Sequence, residues 1–312
     1  MFSAVMDMLR AEGLKVYFKT GMGIVRAVDN ASFEVKEGES FTFVGESGSG
    51  KTVLASAIIR LLPRNAILSG KVFFKGRNLM DLNEDEMRRV RRDEIAYIPQ
   101  SQSSLNPLLR VGFQCAEALI DRGEKKSKAL HRVSKLFEFL GIGWRMDDYP
   151  HAFSGGMKQR ILLAMGLLRD PDLIIADEPT KGLDANRRDQ VVEAFRRLSS
   201  KTLITITHDL LFAEKIAERV AVMYCGEIVE ISRARKFFAD PLHPYSKGLL
   251  ESLPQRGLKP IDGFQPSLIN APQGCRFRER CGLSMQKCKI DPPMVKVGNT
   301  YVRCWIYADK MF

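Results

Sequence analysis

Residues 41–62 read FTFVGESGSGKTVLASAIIRLL, and no other stretch limits what this 312-residue chain can fold into as strongly. A short apolar run, Phe41 to Val44, predicts a buried strand. It leads into Gly45, Glu46, Ser47, Gly48, Ser49, Gly50, Lys51 and Thr52, and then into an apolar-periodic helix. This is G-x-x-x-x-G-K-T in the context that the motif requires, strand before and helix after. Its glycines let successive backbone N–H groups turn inward on phosphate oxygens, and the helix N-terminus adds partial positive charge. Lys51 supplies a point charge for the β- and γ-phosphates, and the Thr52 hydroxyl a ligand for Mg²⁺. The stretch implies an α/β fold and a nucleoside triphosphate.

Such a loop needs a carboxylate at the end of a second buried strand. PDLIIADEPT at 171–180 supplies one: Leu173 to Ala176 is apolar, and Asp177 and Glu178 stand at its end. Asp177 suits the Mg²⁺ shell, and Glu178 is placed to orient or polarise an attacking water. A third apolar run, TLITIT at 202–207, ends in His208 and Asp209. A histidine at the carboxyl end of a strand in a parallel sheet lies on the ligand side.

Two further segments, YIPQSQSSLNP (97–107) and FSGGMKQR (153–160), stand between the loop and the carboxylates. With them the chain resembles the ATP-binding-cassette (ABC) ATPases over about residues 12–235. The resemblance implies a P-loop NTPase with a RecA-like core, an antiparallel β-subdomain, and a helical subdomain inserted at about 103–165. It makes Phe18 the adenine-stacking aromatic, with Tyr17 as second choice, and Gln100 the residue that senses the γ-phosphate and Mg²⁺. It also makes Ser154, Gly155 and Gly156 the signature motif, Glu178 the catalytic carboxylate, Asp184 part of the dimer-contact loop, and His208 the switch histidine. Ser154 to Gly156 precede an apolar-periodic helix, so on their own they read either as a phosphate-binding helix N-terminus or as a simple cap.

The chain departs from the commonest family pattern at two places. Met157 stands where a glutamine is usual, which keeps the backbone donors. Gly182 stands where alanine or serine is commoner, and the expectation is a looser dimer-contact loop.

Residues 240–254, DPLHPYSKGLLESLP, read as a bent connector and a short helix, and Cys275, Cys281, Cys288 and Cys304 follow. This extension resembles that of the oligopeptide, dipeptide and nickel importer ATPases, although Gly282 replaces the proline usual after the second cysteine. The gaps of five, six and fifteen residues lack the tight C-x₂-C pairs of ordinary zinc sites. Four irregularly spaced thiolates suit a [4Fe–4S] cluster, which the resemblance also implies for some members, with zinc or no metal as alternatives. Seven Lys or Arg against two acids between 276 and 303 would offset the cluster's charge. Cys115 and Cys225, in apolar contexts, read as core residues.

The net charge of +11 points to an anionic partner without choosing among nucleic acid, nucleotide and lipid. RRVRR at 88–92, the one dense basic cluster, reads as a solvated helix face, and no nucleic-acid partner is expected. No apolar run approaches the roughly 18 to 20 residues that span a bilayer. The opening MFSAVMDMLRAEG does not read as a secretory leader.

The resemblance implies an importer's ATPase using ATP and Mg²⁺ at the cytoplasmic face of the membrane. Its partners would be a second ATPase chain (paralogue or self), two transmembrane permease subunits and, indirectly, an extracytoplasmic substrate-binding protein. The domain reading is 1–235 for the cassette and 236–312 for the extension. The alternative function is a soluble cassette ATPase in repair, translation or enzyme maturation.

Overall fold

The computed structural model describes residues 7–269 and 271–310, apart from the side chain of Gln102. The first six residues of the stretch read as no secretory leader lie outside the described residues. In chain order the elements are β1 (Asp7–Thr20), β2 (Gly23–Lys36), β3 (Ser40–Val44), α1 (Lys51–Ile58), β4 (Ala66–Phe74), β5 (Arg77–Asn78), α2 (Glu84–Asp93) and β6 (Ile95–Ile98). Then come α3 (Val111–Ile120), α4 (Lys126–Phe139), α5 (Gly155–Leu167), β7 (Leu173–Asp177), α6 (Ala185–Arg196), β8 (Thr202–Thr207) and α7 (Leu210–Ile216). The last are β9 (Arg219–Tyr224), β10 (Glu227–Arg233), α8 (Ala234–Ala239), α9 (Pro244–Glu251), β11 (Met294–Val297), β12 (Thr300–Arg303) and α10 (Trp305–Ala308). They form two compact units. One takes the described residues up to Glu37, Phe41–Leu82 and Thr207 onward; the other takes Gly38–Ser40 and Asn83–Ile206.

In the first unit β2, β1, β4 and β5 make an antiparallel sheet. Alternation along the two long strands buries Leu9, Ala11, Leu14 and Val16 opposite Val35, Phe33, Ala31 and Val28. A second set of strands runs β11-β12-β10-β9-β3, with β3 parallel to β9 and the rest antiparallel. The β9–β10 hairpin turns at Cys225 and Gly226, whose φ angles of 48° and 83° are left-handed, and glycine relieves the strain at the second. Cys225 is fully buried, as its apolar context predicts. Tyr224, Phe237, Tyr245 and Phe277 share a core cluster, so residues well past 235 pack directly on the strand that flanks the phosphate loop.

In the second unit β6, β7 and β8 are parallel and all but continuously buried, which is why their sequences read as unbroken apolar runs. The basic cluster falls on α2, which buries Met87 and Val90 and leaves Arg88, Arg89 and Arg92 in solvent, the solvated face read from the sequence. Cys115 is buried in α3. No helix among the described residues is long and apolar enough to cross a membrane.

Candidate nucleotide site

The phosphate loop leaves β3 and enters α1 through glycines at φ 151°, 81° and 101° for Gly45, Gly48 and Gly50. A Cβ on Gly45 would stand 2.1 Å from the Met223 carbonyl oxygen, and one on Gly50 2.0 Å from that of Ala27. The loop can lie against both strands only without side chains there. Lys51 is buried, its ammonium donating to the carbonyls of Gly45 and Glu46, both at 2.8 Å, and to Ser49 Oγ at 3.2 Å. Ser47, Gly48 and Thr52 are exposed, so the hydroxyl predicted to ligate Mg²⁺ is within reach of a ligand.

The two aromatic candidates sit side by side near the end of β1, both half-buried. Tyr17 donates its hydroxyl to Asp29 Oδ1 at 2.5 Å, and the opposite carboxylate oxygen of Asp29 takes the guanidinium of Arg276. Burial by itself raises Asp29, but the Tyr17 hydrogen bond and the Arg276 guanidinium outweigh it and hold the carboxyl below its ordinary range. Phe18, the next residue on the strand, points to the opposite face of the sheet.

The second unit carries the carboxylates. Asp177 closes β7 at 1% exposure and accepts a hydrogen bond from Tyr97 at 3.3 Å. Glu178, the first residue past the strand, has φ 48°, a left-handed backbone that a non-glycine residue adopts only where its surroundings impose it. Gln100 follows β6 and is half-buried. Ser154 caps α5, its Oγ accepting from Met157 N at 3.4 Å, and Gly155 and Gly156 form the first turn. A Cβ on Gly156 would stand 3.2 Å from the Cβ of Arg187, so glycine there lets α6 approach. The cap reading is therefore correct, and it leaves the phosphate reading open because the first N–H groups of the turn stay at the helix end.

Asp184 caps α6 through Arg187 N at 2.9 Å. Gly182 has φ 72°, a left-handed backbone that glycine adopts without strain. In the first unit, His208 follows β8 directly and is exposed.

A family model described as "ABC transporter" matches residues 28–181, and one described as "Oligopeptide/dipeptide transporter, C-terminal region" matches 229–288. The chain is 41% identical over 315 residues to the dipeptide transport ATP-binding protein DppD of Bacillus subtilis (strain 168), covering 96% of this chain and 94% of that protein. The chain belongs to the ABC transporter ATP-binding family. This ABC ATPase is also 42% identical over 324 residues to the oligopeptide transport ATP-binding protein OppD of the same organism, across 97% of this chain and 89% of that one. Its fold superposes with a TM-score of 0.67 and 28% identity on a dimeric ATP-binding cassette in a post-hydrolysis state bound to ADP and Pi, covering 73% of this chain and 99% of that one. It is an ATP hydrolase of the cassette type, for which ATP and Mg²⁺ are the expected ligands.

Cys275, Cys281, Cys288 and Cys304 of the ABC ATPase line one cavity, together with His243, Phe277 and Trp305. Cys275 N donates to the Cys288 carbonyl at 2.9 Å, and none of the four forms a disulfide. Burial pushes the Cys275 thiol up to about 12 and that of Cys304 to about 11, so both stay protonated at neutral pH. The four-sulfur donor set suits a cluster. The cavity as it stands holds about 10 Å³, and among the described residues no three His, Cys, Asp or Glu are grouped to hold a metal ion. The side chains must rearrange to admit one.

The basic residues of the tail correct a further expectation. Arg276 pairs with Asp29 and, at 3.5 Å, with Glu227, while Arg280 pairs with Glu46 at 3.0 Å. Arg303 joins Glu227 at 3.3 Å and Lys287 joins Asp309. Much of the positive charge read as an offset to a cluster is spent on carboxylates. Tyr97, Tyr245, Arg276 and Arg280 were not singled out by sequence reasoning, because no local pattern marks them; each meets its partner across a long loop of chain.

Proposed function

We propose that this ABC ATPase is the ATP-hydrolysing subunit of an importer of short peptides, with nickel or small oligosaccharides as the other cargo classes. The observation that carries the reading is likeness to dipeptide and oligopeptide transport ATP-binding proteins along nearly the whole chain, the C-terminal region included. The domain assignment is 1–235 for the cassette, with its helical subdomain at about 103–165, and 236–312 for the extension. Two permease subunits, a second ATPase chain and an extracytoplasmic binding protein complete the transporter. The chain then works at the cytoplasmic face of the membrane as a peripheral subunit.

The residue roles follow the resemblance to the cassette ATPases. The phosphate-loop N–H groups and Lys51 bind the β- and γ-phosphates, and Phe18, or Tyr17 beside it, stacks on adenine. Thr52, Asp177 and Gln100 would hold Mg²⁺, which supplies charge neutralisation on the phosphate oxygens when bound. Glu178 polarises the attacking water, and His208 supports the in-line displacement. Ser154 to Gly156 serve the nucleotide of the second ATPase chain, and Asp184 the contact between the chains. Co-purification from detergent extract tests the reading: integral membrane subunits that travel with the chain support it. A stable soluble complex with nucleic acid or another enzyme would favour the repair, translation or maturation class.

The same proposal assigns a [4Fe–4S] cluster to the four-thiol pocket once its side chains have rearranged. The four cysteines lining one cavity and the absence of disulfides among them support it. Iron and sulfide analysis with a visible spectrum of anaerobically purified protein decides. Colourless, iron-free protein removes the cluster, and stoichiometric zinc would replace it.

A further inference from the structure

Glu46 stands at the second position of the phosphate loop, an anionic side chain inside a segment that receives a polyanion. By itself it opposes phosphate through like-charge repulsion. Arg280 Nη1 donates to its Oε2 at 3.0 Å, and the two side chains are 7% and 29% exposed. The guanidinium is fixed on several sides. Nη1 also reaches the Tyr224 hydroxyl at 3.3 Å, Nε donates to the Asp262 carbonyl at 2.9 Å, and Nη2 to that of Ile261 at 3.3 Å. It lies 5.8 Å from the ring of Tyr224 and 5.9 Å from that of Phe277.

Two more residues of the extension hold the same loop. The buried Tyr245 hydroxyl accepts Glu46 N–H at 2.9 Å, its ring 4.5 Å from that of Tyr224. Gln265 Nε2 donates to the Gly48 carbonyl at 3.2 Å. The chain then runs to β2, where the Leu268 carbonyl accepts Arg26 N–H at 2.9 Å, beside Tyr17 in the β1–β2 register. The segment 261–269 thus reaches from the phosphate loop to the strand pair that carries the adenine candidates.

We propose that the C-terminal extension is a cis-acting part of the ATP site, in which Arg280 is a positioning residue. It neutralises and orients Glu46, so the loop meets phosphate without a bare carboxylate, while Tyr245 and Gln265 hold the backbone of Glu46 and Gly48. This rests on the reading of the loop as the ATP site.

The test is MgATP affinity of the purified full chain by titration calorimetry, with unfolding midpoints beside it. Wild-type binding that Lys51→Ala abolishes establishes the reading of the loop; its absence is a failure of that reading, distinct from a silent Arg280 variant. Arg280→Ala raises the Kd about tenfold, the size of a partly buried charge-assisted contact. Arg280→Lys recovers most of the loss. Adding Glu46→Gln to Arg280→Ala brings the Kd back to within about twofold of wild type, because the unneutralised carboxylate is gone. An unchanged Kd in Arg280→Ala overturns the proposal. So does a loss that Glu46→Gln fails to repair, since that marks packing on Tyr224 and Phe277 instead of charge. If Arg280→Ala does not fold, Gln265→Ala and Glu46→Gln decide: weaker binding in the first with undiminished binding in the second supports the proposal, and any other pairing overturns it.

Discussion

The backbone N–H of Glu178 donates to the Ile206 carbonyl at 2.7 Å, and this bond helps to hold the residue at φ 48° just beyond the end of β7. The strand places Asp177 in the core, and the left-handed step turns the next carboxylate away from the strand direction. Glutamine keeps that geometry and loses the base. Glu178→Gln is expected to lower kcat for ATP hydrolysis by about 10²-fold or more while leaving ATP affinity within a few-fold, measured by phosphate release and nucleotide titration. Undiminished turnover would take Glu178 out of the catalytic role.

Gly50→Ala should fail at the level of the fold. The new Cβ would lie 2.0 Å from the Ala27 carbonyl oxygen, at a φ of 101° that alanine avoids. Backbone has to move on both sides. A loss of about 2 kcal/mol or more in urea unfolding, together with loss of ATP binding, is the expected result.

Arg276 is almost fully buried between Asp29 and Glu227 and donates to the Cys225 carbonyl. Methionine fills the space and leaves both carboxylates without that partner. Arg276→Met is expected to destabilise the chain by about 3 kcal/mol, as removing one member of a buried ion pair does. Pairing it with Asp29→Asn should restore part of the loss in a double-mutant cycle.

His243 gives the fold an acid limit. Burial pushes its pKa down to about 3, against a hydrogen bond with the Arg303 backbone, and its Nδ1 accepts Tyr245 N–H at 3.1 Å. The unfolded histidine takes a proton near pH 6.5, so its contribution to stability is complete above that pH. It then falls by about 1.4 kcal/mol per pH unit as the pH drops from about 6.5 toward 3. Asparagine can keep the cap and does not titrate. His243→Asn should therefore flatten the pH dependence of the unfolding midpoint between pH 6.5 and 4; a slope equal to wild type would contradict the assignment.

The phosphate loop, the Asp177–Glu178 strand end and the β9–β10 hairpin were legible because each is local. Apolar runs of four to six residues beside glycines or carboxylates state their own structure. The signature turn was legible as a helix start, though not its close approach to α6 at Arg187. Partners far apart in the chain were not legible. Nothing in ERC at 279–281 says that its arginine meets Glu46, and a count of tail charges could not show that Arg276, Arg280 and Arg303 are already paired. The convergence of four thiols could be suspected from their number, whereas the size of the cavity between them depends on how His243, Phe277 and Trp305 pack.

The contact between Arg280 and Glu46 spans 234 positions, and that of Tyr245 with the same loop spans 199. A chain made from its N-terminus therefore releases its phosphate loop long before the residues that steady it. On a ribosome, nascent chains that stop short of Tyr245 carry the whole G-x-x-x-x-G-K-T motif with Glu46 not yet paired to Arg280. Synthesis order thus delivers the loop well before the contacts that Tyr245 and Arg280 make with it.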